Sequence, residues 1–475
     1  MISFVCCLVA LVLGYFVYGK FIERVFGVEV QRTTPAYTNQ DGVDYIPMPS
    51  WKVFMIQFLN IAGLGPIFGA IMGAKFGTAS FLWIVIGSIF VGAVHDYLAA
   101  MLSLRQNGES LPEIVGRYLG VNFKQFMRIF TVILMTLVGA VFVAGPAGLL
   151  ASLTPEHLDV TFWIIVVFLY YVLATLLPVD KIIGKVYPLF AIALLFMAIG
   201  ILIMLFVHFP ALPEITDGLS NTHPNKLPIF PIMFVSIACG AISGFHATQS
   251  PLMARCLKNE KYARPIFYGS MITEGIVALI WAAAATYFFQ ENGMGESNAA
   301  VVVDSITKEW LGTAGAVLAM LGVIAAPITS GDTAFRSARL IIADFLHLEQ
   351  RTILKRLMIS VPLFVAAIAL LLYSLKDQEG FDMIWRYFAW CNQTLAVFTL
   401  WALTVYLVSV RKCYFITLIP ALFMTAVCST YIFVAPEGFG LDVTVSQIIG
   451  VSITAFTLIV FLLWKRKQVN FDLSL

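Results

Sequence analysis

The chain has 475 residues, 60% of them hydrophobic and only 12% charged, with a formal net charge of +2. That balance lies far from a soluble domain's and excludes a protein that works through a basic nucleic-acid-binding face. The seven cysteines are scattered without a C-x-x-C pair, and Cys6, Cys7, Cys239, Cys391 and Cys428 fall inside apolar stretches, so they read as small apolar residues and not as a disulfide frame or metal site.

A membrane-crossing helix needs about 20 apolar residues. Thirteen stretches qualify, at 3–19, 52–74, 79–104, 127–152, 160–178, 186–208, 229–246, 266–289, 312–330, 355–374, 385–409, 413–434 and 446–464. Among the 29 Lys and Arg, only Lys75, Lys226, Lys308, Lys376 and Arg386 lie in or beside the loops that follow even-numbered spans. The positive-inside rule then puts the odd loops and the tail Lys465-Arg466-Lys467 in the cytoplasm and the N-terminus outside. Alternating ten-residue barrel strands are absent, so the expected fold is an all-α polytopic membrane protein of about 13 spans.

Span 1 has neither a basic n-region nor an A-x-A site and is expected to be retained. Span 2 carries helix breakers, Asn60-Ile-Ala-Gly-Leu-Gly-Pro66, followed by Gly69, Gly73 and Gly77. Span 7 carries a matching set, Ser236-Ile-Ala-Cys-Gly-Ala-Ile-Ser-Gly-Phe-His246. Pro66 removes a donor and crowds the carbonyl four residues back. Unwound backbone at membrane depth survives only where protein buries it or a cavity solvates it. The glycines at 65, 69, 73 and 77 equally fit a small-xxx-small packing stripe. Because spans 2 and 7 are five helices apart, a five-helix unit repeated once must be inverted, giving repeats over spans 2–6 and 7–11. The corresponding divisions are 1–50 (first helix and loop), 51–208 and 209–410 (the repeats) and 411–475 (two C-terminal helices and tail).

Ionisable residues inside spans are candidates for function. Span 3 carries His95 and Asp96, and span 8 carries Glu274. Asp96 precedes Arg105 by nine residues, about 13 Å at 1.5 Å per residue, and Glu274 follows Arg264 at a similar depth on a helix running the other way. These carboxylates suit proton loading, and equally a structural hydrogen bond across the bundle. Neighbouring His95 and Asp96 point about 100° apart on a helix and need not share a partner. His246 suits substrate contact, proton carriage or capping of the broken helix. Span 9 ends Ala326-Pro-Ile-Thr-Ser-Gly-Asp-Thr333, then Phe335-Arg-Ser-Ala-Arg339. Thr329, Ser330, Asp332 and Thr333 offer oxygens a hard cation prefers, while Asp332 and Arg336 are spaced for an i, i+4 pair. Span 11 opens Trp385-Arg-Tyr-Phe-Ala-Trp-Cys-Asn-Gln-Thr394, and Asn392 and Gln393 each need a partner.

The blocks Asn60–Gly69, Gly92–Asp96, Ala238–His246, Ile328–Arg339 and Trp385–Phe388 with Asn392-Gln393 resemble the carbon starvation protein A family, from about residue 50 to 400. The resemblance implies a prokaryotic inner-membrane transporter related to the amino acid–polyamine–organocation superfamily, with a LeuT-type five-plus-five fold. It implies proton-driven uptake of pyruvate, or peptide uptake. It also puts a substrate site at the span 2 and span 7 breaks and a cation site near Thr329 and Ser330. The chain is shorter than the family's larger members, which bears on substrate choice.

The sequence reading is a secondary transporter with no cofactor, no nucleic-acid partner, and the bilayer and a small solute as its surroundings. Asn60, Gly63, Gly65, Pro66, Gly240, Ser243, Gly244, His246, Asn392 and Gln393 are the expected substrate residues. His95, Asp96, His246 and Glu274 are the expected proton carriers, and Thr329, Ser330, Asp332 and Thr333 the sodium alternative. Free N–H groups at the breaks suit a carboxylate, since no Arg lies deep in the predicted spans. A sodium-coupled amino acid or organic acid symporter is the alternative within the class, and a channel the alternative outside it. No H-E-x-x-H, G-x-S-x-G or nucleotide loop is present, so an enzyme is not expected.

Overall fold

A computed structural model describes residues 1–176, 183–294, 299–350, 352–374 and 378–473. Lys181, Arg351 and Lys376 and the end of span 5 at 177–178 lie outside the described residues. Eleven helices are long and apolar enough to cross a membrane: Ile2–Phe26, Ala79–Arg105, Val121–Ala151, Tyr187–His208, Ile229–Ala254, Glu260–Asn292, Gly315–Leu346, Ile353–Tyr373, Met383–Ser409, Phe415–Val434 and Val443–Gln468. The pair Ser50–Ile61 and Gly65–Ala74, bent by 52°, makes a further span, and Val160–Ala174 is a shorter apolar helix. Each of the thirteen predicted stretches therefore meets a helix or a bent pair, and the chain is a multi-pass membrane protein. The described residues hold no strand, only an isolated bridge between Met48 and Leu257.

Two expectations need correction. Residues 290–311 read as a loop, yet Ala299 onward is helical up to a break at Gly312, whose φ is +64°. Span 9 was expected to end near residue 330, but its helix continues to Leu346 and carries Arg336 and Arg339, both buried, inside the bundle. A strap between spans 1 and 2 brings Asp44 to these arginines, which is why charged residues extend the helix instead of ending it.

Spans 2 and 7 cross at their breaks, and glycine makes the crossing close. A Cβ on Gly69 would lie 2.8 Å from the Ile237 carbonyl oxygen and 2.9 Å from that of Ser236. Gly65 and Gly73 face Cys239 and the Ile237 side chain just as tightly. Of the two roles the sequence allowed, these three glycines serve the packing stripe, since they lie within the helical half Gly65–Ala74 and the break falls before it. Gly77 leaves the stripe with φ +82°, beyond the end of the helix at Ala74.

Span 13 is mostly peripheral, with Val451, Phe456, Ile459 and Leu463 exposed, whereas span 8 buries the run Ala282–Ala285 completely. Span 13 can present large apolar side chains outward because lipid solvates Leu and Phe as well as protein does, while small residues such as Ala282–Ala285 let helices come close. Gly69→Ala is expected to destabilise the fold by about 1–3 kcal/mol through overpacking against fixed backbone. Gly148→Ala, where a Cβ meets nothing within 4 Å, should be neutral or slightly stabilising. Thermal unfolding of the two purified variants in one detergent gives the comparison.

Candidate functional site

The first half of span 2 ends at Ile61, and the chain turns through Ala62–Leu64 before Gly65. Span 7 breaks over Ala238–Ser243, with Ala238 at φ +37°, and Gly244 starts its second half. A non-glycine residue there is strained and persists only where its surroundings over-determine it. Neighbouring helices supply the partners. Ser330 Oγ of span 9 donates to the Asn60 carbonyl at 2.8 Å. Ser88 Oγ of span 3 donates to the Gly240 carbonyl at 3.1 Å, and Gln393 Nε2 of span 11 to the Ile242 carbonyl at 2.9 Å. Asn392 Oδ1 accepts the Phe245 N–H at 2.7 Å and the Ser243 hydroxyl at 3.0 Å.

This changes one expectation. The capping residue of the broken span 7 helix is Asn392 and not His246, and the Phe245 N–H is already committed to it. Gly244 is required beside that cap, because a Cβ would collide with the Asn392 carbonyl and the Ala396 nitrogen. Gly63 lies under Ser330, where a Cβ would sit 3.1 Å from Oγ, and a Cβ on Gly240 would lie 3.7 Å from Pro66 Cα. Asn60, Gly63, Gly65, Pro66, Gly240, Ser243, Gly244, His246, Asn392 and Gln393 therefore gather around one crossing, and all are buried.

Beside that crossing runs a chain of titratable groups from three helices. His95 Nδ1 lies 2.8 Å from Asp96 Oδ1, and His246 Nδ1 lies 2.9 Å from Asp96 Oδ2. On its other side, His246 Nε2 lies 3.5 Å from Glu274 Oε2. The 100° separation expected of His95 and Asp96 does not keep them apart: the His95 ring swings onto the carboxylate, and Asp96 holds both imidazoles. All four side chains are fully buried. His246 Nε2 and both Glu274 oxygens make no hydrogen bond in this arrangement. The His246 ring thus stands between the two carboxylates, with Asp96 on Nδ1 and Glu274 on the side of Nε2.

The span 9 oxygens divide. Ser330 and Thr333 face span 2, with Thr333 Oγ1 3.5 Å from Asn60 Oδ1, and Thr329 Oγ1 turns back to the Ala326 carbonyl. Asp332 does not join them. Its Oδ2 accepts hydrogen bonds from Tyr170 at 3.1 Å and from Tyr187, on spans 5 and 6. Arg336 donates to Asp44 Oδ1 at 3.2 Å and to the Ala174 carbonyl. No group of three or more His, Cys, Asp or Glu suited to a metal ion occurs among the described residues.

Tyr170, Tyr187 and Ser88 escaped the sequence reading, since a tyrosine or serine in a span has an apolar or small-residue role by default. Asp44 escaped because its loop looked like an ordinary connection.

The family model for carbon starvation protein CstA matches residues 1–156, 151–310 and 291–431. This chain belongs to the CstA family. Within reach of the family, an uncharacterised membrane protein of Haemophilus influenzae is 44% identical over 340 residues, covering 61% of this chain and 92% of its own length. The peptide transporter CstA of Bacillus subtilis is 29% identical, over 81% of each chain. The pyruvate/proton symporter BtsT of Escherichia coli is 30% identical over 58% of this chain, but the match spans only 47% of BtsT. Several curated CstA relatives are likewise matched over about half their length. In fold, the chain is similar to a manganese transporter of Eremococcus coleocola, with a TM-score of 0.56 at 14% identity over 90% of this chain and 98% of that one. The relatives that carry a functional name are transporters.

Asn392→Ala should cost about 1–3 kcal/mol, because the Phe245 N–H is left buried without a partner. The Ser243→Ala, Asn392→Ala double variant should cost less than the sum of the two single changes, because they share one hydrogen bond. Chemical or thermal unfolding of the four proteins in the cycle measures this; strict additivity would mean that Ser243 and Asn392 share no bond.

Proposed function

We propose that the protein is a proton-coupled secondary transporter that takes up a small carboxylate, pyruvate among them, or a small peptide by alternating access. The observation that carries this reading is the buried chain His95–Asp96–His246–Glu274, set against the crossing of two broken helices. Buried polar atoms without partners cost about 1–3 kcal/mol each. Here they include Asn60 Nδ2, His246 Nε2 and both oxygens of Glu274. That pattern suits groups whose partners arrive and leave, a proton at Glu274 and a polar solute beside Asn60. Discontinuous helices at the centre of a bundle are where transporters bind their solutes. We read spans 2–6 and 7–11 as inverted repeats rocking about this crossing, in a prokaryotic inner membrane with the N-terminus outside and the basic loops inside. The relatives' names supply the two substrate classes.

Sodium coupling is the second reading, and the hydroxyls of Ser330 and Thr333 beside the span 2 carbonyls favour it. Asp332, turned towards its tyrosines, does not take part. A channel fits less well, since every residue of the crossing is buried.

Glu274→Gln should abolish uphill uptake of labelled pyruvate into proteoliposomes under an inward proton gradient, while counterflow exchange persists. Dipeptide competitors, with sodium present or absent, assign substrate and ion. Loss of uphill uptake and exchange together would make Glu274 structural, and uptake indifferent to the proton gradient would remove proton coupling.

A further inference from the structure

We propose that the segment 27–49 is a latch that closes the end of the bundle carrying the basic loops, with Asp44 as its pin, and that it must lift for solute to leave on that side. This rests on the transporter reading above. Three sets of contacts hold the strap down. At its start, the Arg105 guanidinium binds both the Gly27 carbonyl and Glu260, Glu29 N–H donates to Glu260 Oε2 at 2.8 Å, and Lys412 reaches the Phe26 carbonyl. In its middle, Asp44 lies 3.2 Å from Arg336 and 3.7 Å from Arg339, and Tyr45 stacks under Arg255, which donates to the Gly108 carbonyl. At its end, Met48 N–H donates to the Cys256 carbonyl at 3.1 Å. The strap thus ties together the ends of spans 3 and 7, the start of span 8 and the buried arginines of span 9 immediately before span 2 begins at Ser50.

The geometry makes this more than a tidy loop. The half-helix Ser50–Ile61 is fastened to span 9 at both ends, by Ser330 on the Asn60 carbonyl near the break and by Arg336 and Arg339 on Asp44 at the strap. Arg336 and Arg339 stand six and nine residues beyond Ser330 on one helix, about 9 and 13 Å along its axis. Swinging the half-helix about Ala62–Leu64 requires both fastenings to release. Burial tends to raise the Asp44 carboxyl, but the charges of Arg339, Arg336 and Arg255 outweigh it and hold it below the usual carboxylate range. The pin therefore stays charged at neutral pH, its contribution being lost only as pH falls through that lowered value, and the latch opens by movement and not by protonation.

Cys256 is a native reporter. It is fully buried, with its Sγ 3.7 Å from the Asp44 carbonyl oxygen, and burial pushes its thiol up to about 12, so it is inert while the strap is down. The experiment is residue-resolved alkylation of the full-length protein in nanodiscs with a water-soluble maleimide, read by mass spectrometry. Asp44→Asn should speed labelling of Cys256 at least about tenfold, because removing one partner of a buried ion pair is strongly destabilising. Cys391 and Cys428 should stay as protected as in the parent, and Asp44→Glu should restore much of the protection at Cys256. Unchanged labelling of Cys256 in Asp44→Asn, or an equal rise at all three cysteines, would overturn the latch. No substrate is needed, so failure here is separate from failure of the uptake assay.

Discussion

Backbone amides and carbonyls released inside a bilayer have no water to turn to, and the whole central architecture answers that constraint. Each unpaired group at depth costs several kcal/mol, so two breaks in neighbouring spans are tolerable only if side chains from elsewhere meet them. Ser330, Ser88, Gln393 and Asn392 do so, one from span 9, one from span 3 and two from span 11. Glycines just past the span 2 break let the helices approach until span 2 backbone rests on span 7 backbone. Break, stitch and close contact form a single solution.

The functional groups inherit their positions from that solution. His246 stands two residues into the second half of span 7, so the cap at Asn392 fixes where its ring lies. Asp96 and Glu274, from antiparallel spans 3 and 8, then fall on its two nitrogens. Ser330, which stitches the span 2 break, shares its helix with Arg336 and Arg339, which hold the strap. Span 9 therefore connects the break at the centre of the bundle with the strap, and the half-helix Ser50–Ile61 is held to it at both. In the proposed mechanism, a charge state at the centre and a latch at the periphery bear on the same half-helix.

Much of this was legible in the sequence because it is local. Apolar run length located the thirteen stretches, and Gly63-Leu-Gly-Pro66 and the 236–246 run announced the breaks through residue chemistry alone. The opposed directions of spans 3 and 8 put Asp96 and Glu274 at matching depths. Contacts between distant segments were not legible. The Phe245 cap comes from 147 residues away and the Arg336 partner from 292, and no spacing rule reaches that far. Asp332 illustrates the limit: its neighbours in sequence made it a cation ligand, while its neighbours in space are tyrosines. The end of span 9 was misplaced for the same reason, since Arg336 and Arg339 looked like a water-facing end until Asp44 was beside them.

The central claim is that the imidazole of His246 links a proton to movement of the solute. The most direct measurement is the internal pH of proteoliposomes loaded with a pH-sensitive dye, followed as pyruvate or a dipeptide is added outside, for the parent and for His246→Gln. The account predicts solute-dependent acidification of the lumen, independent of sodium, that disappears in His246→Gln while labelled solute still exchanges. Uptake that requires sodium and leaves internal pH unchanged, or a His246→Gln protein that acidifies like the parent, would contradict it.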